Sequence, residues 1–496
     1  MTPSLEIPHD NKLPQMAVIL DEVNMRGVLE DALNAEAPGD TPADVECSRL
    51  RVRHCKIEWI KYKPDSKCTV CYRLAIDPLP PDSQGELILY GRIYAAGGAL
   101  SRFRRAQSAC LVRPRFGRPL LHLPELDMVV WVFPNDRKLT GLSLIADERR
   151  LKDELLGEVL GKALGREWQL VDMTHDIVHY VPEHTCTVRL QLQVQQVPIG
   201  DRRSLTLYGK TYYDDEGAET YRIMRELWAL ESGSHTQSRM AQPVMYDSGH
   251  RLLWQAGLAG ATLRDQDLSG SHFCTLMREA AVTVAWLHRS RVSCSRLFSF
   301  DDWLVKLEEM RPVLAQARPS CRERLEPLID RLRSQAESLG EQPVATLHGD
   351  LHLNNFVEHG TKIALIDMDN VSSGPPARDI GSFIAGVFYQ GLLRGIAERV
   401  IQRAVTAFCD QYERSVPWQT PRSVLNWYIA TSLLTERARR SVMRLKSGRL
   451  NILDDLIDLA GRVESGATRP RKPRAAGAPV LRRGASPVSV RRTGSI

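Results

Sequence analysis

Asp350, Asn355 and Asp367 stand in a segment, residues 346–383, that reads TLHGDLHLNNFVEHGTKIALIDMDNVSSGPPARDIGSF. An acid is followed five residues later by an amide, and twelve residues after that by a second acid closing an apolar run, ALID. Carboxylate and amide oxygens are the hard ligands that magnesium takes beside water and phosphate oxygens. A separate carboxylate next to an alcohol can orient it and take its proton. Phosphoryl transfer asks for both, because its transition state is loose and the protein has mainly to position the acceptor and neutralise oxygen charge. On this reading Asp350 serves the acceptor hydroxyl, while Asn355 and Asp367 serve a magnesium ion.

The interval from Asp350 to Asn355 is that of the kinase catalytic loop, H-R-D-x-x-x-x-N. Between Asn355 and Asp367 the sequence carries the turn signal His359-Gly360, so a β-hairpin is expected there. A hairpin brings its two ends together, and with them the amide and the second acid.

HGDLHLNN, then IDMDN, then GPPARDI resembles the aminoglycoside phosphotransferase, choline kinase and homoserine kinase superfamily, whose signature is H-G-D-x-x-x-x-N, then I-D-x-x, then G-P-x-x-D. The resemblance covers about residues 150–464. It implies a protein kinase-like, two-lobed α+β fold, with an antiparallel β small lobe and a mainly helical large lobe. It implies ATP (GTP being possible) and Mg2+ as cofactors, and a small molecule bearing a hydroxyl as acceptor. Under it Asp350 is the catalytic base, His348 braces the loop, Asn355 and Asp367 bind the metal, and Asp379 orders the loop rather than reacting. Asp369 either reaches a metal or caps a turn. On the nucleotide side Lys210, in LTLYGKTYY, fits the lysine that reaches the α and β phosphates. Its helix-borne acidic partner is Glu226 or Glu219, with Glu226 preferred. The chain departs from the protein-kinase pattern in having no G-x-G-x-x-G loop; the turn VPEHTCTVR, residues 181–189, takes its place. The hinge that meets the nucleobase is expected within residues 252–263.

The elements that must hold these residues repeat within the chain. YKPDSKCTV (residues 62–70) matches YVPEHTCTV (180–188), and LYGRIY (89–94) matches LYGKTY (207–212), both at an offset of 118 residues. A helical pattern precedes each copy, VLEDAL and VLGKAL, and an apolar strand follows, VVWVFP and LLWQAG. Each unit reads helix, strand, turn, strand, strand, helix, strand, strand, the order of a kinase-like small lobe. In the first copy Arg92 stands where the second has Lys210. Arginine's planar fork does not replace a lysine point charge in a tight strand pocket, so the first copy is expected to have lost nucleotide binding and to pack, dimerise or cap.

Beyond Gly260 the pattern turns helical, with helices expected at 271–290, 301–316, 321–338, 379–411 and 420–445. Arg437, Arg440 and Arg444 fall at i, i+3 and i+7, one helix face, either a solvated row or the mark of an anionic acceptor. The expected division is a flexible N-terminus (1–15), a degenerate small-lobe-like repeat (16–150), a nucleotide-binding small lobe (151–258), a helical large lobe (259–464) and a disordered basic tail (465–496).

The net charge of +6 comes from that tail, which carries eight Lys and Arg and no acid, leaving residues 1–464 at −2. A nearly neutral body gives no electrostatic case for nucleic-acid binding outside the tail. No apolar run approaches the roughly 20 residues of a membrane span, and the polar, proline-broken N-terminus lacks the pattern of a signal peptide, so a cytoplasmic protein is expected. Among ten cysteines only Cys68 and Cys71 form C-x-x-C, without a second pair to complete a zinc set. Three functions remain open: a small-molecule kinase, an enzyme that phosphorylates protein, and a nucleotide-binding scaffold without turnover. The acceptor and the oligomeric state are not legible.

Overall fold

Two five-stranded antiparallel sheets and a helical region make up the described chain, which in this computed structural model comprises residues 10–35, 50–77, 85–95, 97–114, 116–231, 238–445 and 448–467. The first sheet contains β1 (Arg51–Lys63), β2 (Lys67–Asp77), β3 (Glu86–Tyr94), β4 (Leu120–Leu123) and β5 (Met128–Val132), in the order β1-β2-β3-β5-β4. The second contains β6 (Trp168–Val181), β7 (Thr185–Gln196), β8 (Arg202–Tyr212), β9 (Pro243–Asp247) and β10 (Leu252–Ala256), in the order β6-β7-β8-β10-β9. The registers of β2–β3 and β7–β8 coincide as well, while the second bulge of the outer pair falls at Ile57/Trp59 in one sheet and at Ile177/His179 in the other. Lys61 pairs with Thr69 and Thr69 with Arg92; His179 pairs with Thr187 and Thr187 with Lys210. At the tips of the β1–β2 and β6–β7 hairpins, Asp65 and Glu183 both take a left-handed backbone, φ 55° and 61°.

Alternation along the strands fixes how the layers stack. Leu87, Leu89 and Ile93 of β3 face the helix Glu22–Asn34 and its Met25, Leu29 and Leu33. Ile88 and Tyr90 face the other way, joining Trp131 in a core shared with Cys186, Val188 and Leu190 of β7 and Trp254 of β10. Helical turns over residues 142–163 close the same core through Leu142, Leu151 and Val159. The expected boundary at 150/151 therefore runs through a segment that both sheets use. Cys68 and Cys71, three apart on a strand, point into different cores and are both buried, so they cannot ligate one metal together.

A third core gathers the helices Glu216–Leu230, Ser271–Arg289, Phe300–Ala317, Arg322–Ala336, Pro376–Leu393, Glu398–Ser415, Arg422–Ser432 and Leu453–Glu464. The single helix expected over 379–411 is two, because Gly395 adopts a positive φ of 65° between them. The helix expected over 420–445 widens into a π-helical turn, Leu433–Ala438.

Residues 10–15 pack rather than trail: Leu13 is buried, and Asp10 accepts hydrogen bonds from the Tyr62 hydroxyl and the Asp65 amide, both at 2.9 Å. The basic tail lies outside the described residues from 468 onward. Among the described residues no helix is long and apolar enough to cross a membrane.

Candidate active site

β11 (Ala345–Leu347) leads into the loop of His348, Gly349 and Asp350 and a short 3-10 turn, Leu353–Asn355. β12 (Phe356–His359) and β13 (Lys362–Leu365) then form the hairpin, with Gly360 at its turn. After Asp367 and a second 3-10 turn, Met368–Asn370, β14 (Ser372–Gly374) returns to pair with β11, and the helix Pro376–Leu393 begins.

Main-chain and side-chain bonds stitch this loop together. The Asn355 side-chain Nδ2 donates to the Asp350 carbonyl at 3.0 Å, and the Ile366 amide donates to the Asn355 carbonyl at 3.0 Å. Asp350, Asn355 and the approach to Asp367 thus share one small frame. His348, fully buried, bonds through Nε2 to the Ile366 carbonyl at 3.0 Å. Asp379, also fully buried, accepts from the amides of His348 (2.6 Å) and Gly349 (3.1 Å) and from Arg378 Nη1 (3.1 Å). His288 Nε2 stands 3.4 Å from the same carboxylate. Burial opposes its charge, but these partners, His288 foremost, hold its pKa down to about 2.

Gly349 has to be glycine. Its φ is +83°, and a Cβ there would stand 2.0 Å from the Asn370 carbonyl oxygen.

The second sheet delivers Lys210 from β8. Its Nζ lies 2.8 Å from Asp367 Oδ1 and 2.5 Å from Asp369 Oδ2, and the Tyr212 hydroxyl donates to Asp369 Oδ1 at 2.7 Å. Burial disfavours the ammonium, yet the two carboxylates outweigh it and raise the Lys210 pKa. Asp367 moves the opposite way from burial alone: Lys210 pulls it below the usual carboxylate range. Burial pushes Asp369 up, and the neighbouring Asp367 charge adds to the effect.

Glu226 does not reach Lys210. It is taken by Arg222 at 2.5 Å, and Glu219 bonds the same guanidinium. The two acids do share a helix face, but that face meets the loop near Ser293 and Ser295. The acidic partners of Lys210 come from the large lobe instead. Tyr212 was readable in principle, since it lies two residues from Lys210 on the same strand face; His288 carries no comparable signal in the chain.

Asp350 is ionised. Burial raises its pKa, but His352, 3.5 Å away, together with Arg440 and Arg437, drives it well below the ordinary value. The three arginines expected on one face do not share one. Arg437 lies inside the π-helical turn, is buried, and donates to the Ser382 carbonyl at 2.9 Å. Arg440 is exposed, and Arg444 stacks on Trp59 of β1, its guanidinium carbon 4.6 Å from the ring centre.

Within the expected hinge, residues 252–263, β10 takes the first five and residues 257–263 lead on to the large lobe. There the Ala261 carbonyl accepts from the Glu358 amide at 2.9 Å and Leu263 donates to the Phe356 carbonyl at 2.9 Å. This ties the hinge to the hairpin that carries the site.

No curated protein sequence matches the chain. Several solved structures are similar to it. A thermostable mutant of aminoglycoside phosphotransferase APH(4)-Ia, in ternary complex with ADP and hygromycin B, is 12% identical over 63% of this chain and 99% of that one, with a TM-score of 0.41. The ethanolamine kinase of Plasmodium vivax is 13% identical over 68% of this chain and 95% of that one, with a TM-score of 0.39. A choline/ethanolamine kinase family protein from Mesorhizobium loti is 14% identical over 58% and 87%, with a TM-score of 0.37. The model of the phosphotransferase enzyme family, APH, matches residues 190–416, a span that takes in Lys210, Asp350, Asn355, Asp367 and Asp379. That span is similar to the phosphotransferase enzyme family.

Proposed function

We propose that this chain transfers the γ-phosphoryl group of ATP to a hydroxyl of a small molecule, in the cleft between the second sheet and the large lobe. The observation that carries the reading is the meeting of Lys210 with Asp367 beside the Asp350–Asn355 loop. Asp350, ionised and held by His352, takes the acceptor's proton as its oxygen attacks. Lys210 supplies positive charge to the nucleotide phosphates. His348 and Asp379 act on the loop's backbone and hold Asp350 in place.

The donor set fits a magnesium ion. With Nδ2 committed to Asp350, the Asn355 side-chain oxygen has no hydrogen-bond partner among the described residues, and Asp367 offers a carboxylate whose protonation Lys210 suppresses. Asn355 and Asp367 would hold the ion, which when bound screens the phosphate oxygens. GTP remains an alternative donor.

Positive charge reaches Asp350 from Arg440 and the buried Arg437. That charge favours an acceptor carrying a phosphate or carboxylate over a polycation. The matched strand order and registers of the two sheets support the reading that the N-terminal unit, residues 16–150, is a second copy of the small lobe.

Magnesium-dependent ATP consumption, measured with panels of sugars, phosphorylated sugars, amino alcohols and aminoglycosides, tests the assignment. Stimulation by one class supports it. Phosphate incorporated into protein, or nucleotide binding without turnover under every condition, refutes it.

A further inference from the structure

The first sheet presents Lys61, Thr69 and Arg92 at the register positions that the second sheet fills with His179, Thr187 and Lys210. In the second sheet that row meets Asp367 and Asp369 through Lys210. In the first sheet it opens into a cavity of about 300 Å³ roofed by the β6–β7 turn, Pro182 to His184, and bordered by Tyr213. Six cations line it: Lys61, Lys63, Lys67, Arg92, Arg137 and Lys138. A single carboxylate, Glu183, answers them, and it is already held by Arg92 Nη2 at 3.0 Å and Arg137 Nη2 at 2.7 Å. Among the described residues none of the four lysines has an ion-pair partner; Lys138 only covers the Tyr213 ring, 4.6 Å from its centre. Burial and then the neighbouring cations, Arg444 for Lys61 and Arg92 for Lys67, push both ammonium groups down. Several positive charges are thus gathered around one half-open cavity with a net surplus, a state that a multivalent anion relieves.

We propose that this cavity is a second binding site, for a small polyanion carrying at least two adjacent phosphate groups, taken up without a divalent metal. The absence of metal is a consequence of the lining. The cleft at Lys210 sets two aspartates around its lysine. The cavity sets arginine and lysines around a volume whose one carboxylate is occupied.

Inorganic pyrophosphate in the presence of EDTA is the probe, titrated into the full chain by calorimetry, with Trp59 in the lining as a fluorescence reporter. One saturable site is expected. Its affinity falls at least tenfold in a Lys61→Ala/Lys67→Ala double variant, survives in Lys61→Arg/Lys67→Arg, and is unchanged by Lys210→Ala. The arginine pair separates lost charge from lost folding, and an unchanged melting temperature for the alanine pair is the second control. Absence of saturable binding overturns the proposal, as does binding that disappears with Lys210→Ala or persists undiminished in the alanine pair. None of these readouts uses turnover, so they stand or fall independently of the phosphotransfer reading.

Discussion

Lys210 Nζ and Asp367 Oδ1 lie 2.8 Å apart, joining a strand of the second sheet to the end of a hairpin 157 residues later. Lys210 touches Asp369 as well, so one ammonium neutralises two carboxylates of the large lobe. Lys210→Ala leaves that pair facing each other without a counter-charge. It is expected to lower kcat/KM by about 10²-fold or more. Since these side chains are only partly shielded, the stability loss is expected at about 1–3 kcal/mol rather than the larger figure for a fully buried pair. Steady-state kinetics and urea unfolding measure the two effects.

Asp350→Asn removes the proposed base while keeping its shape. Turnover is expected to fall by about 10²- to 10⁴-fold, with nucleotide affinity retained in calorimetry. Because His352, Arg440 and Arg437 keep Asp350 ionised far below neutrality, its protonation does not shape the rate between about pH 5 and 8. A rate that follows a carboxylate titration in that window contradicts this role.

Asp367→Asn weakens the oxygen set and frees Lys210 from one partner. The magnesium concentration for half-maximal rate is expected to rise by about tenfold or more, with a smaller effect on the acceptor's KM. Titrating magnesium at saturating ATP tests it.

Asp379 has its folded pKa depressed to about 2, below its value in the unfolded chain. A depressed carboxyl contributes stability that is present above about pH 4 and is lost as the pH falls toward 2. Across that interval the native chain is expected to lose about 2 kcal/mol more than Asp379→Asn does. At pH 7 the variant is less stable, because the two loop amides lose their charged acceptor. Denaturant unfolding at a series of pH values separates the slopes.

Gly349→Ala must strain a φ of +83° and push against the Asn370 carbonyl. A cost of about 1–3 kcal/mol is expected. Turnover falls further than stability does, because the displaced residue neighbours Asp350. Thermal melts compared with kcat decide the point.

Much of this arrangement can be read in the chain. The turn at His359-Gly360 brings the ends of the hairpin together, and the 118-residue offset corresponds to two sheets whose β2–β3 and β7–β8 registers agree position for position. What could not be read depends on tertiary choices. Glu219 and Glu226 are seven apart on a helix, and nothing in that spacing says whether their face turns to Lys210 or to Ser295. The spacing of Arg437, Arg440 and Arg444 predicts one face only for a regular α-helix, and the wider turn Leu433–Ala438 rotates Arg437 inward. Asp369, two residues beyond Asp367, is placed by a 3-10 turn rather than by any strand or helix period.

The core that the two sheets hold in common couples the N-terminal unit to the rest. Cys186, Val188 and Leu190 of the second sheet are covered by Tyr90 and Trp131 of the first, and Leu445, from the far end of the large lobe, is inserted among the residues beneath the first sheet. Trimming the chain to the matched family span would strip an apolar sheet face and unseat a large-lobe residue at once. The additional unit is therefore a structural dependency of the segment it shelters.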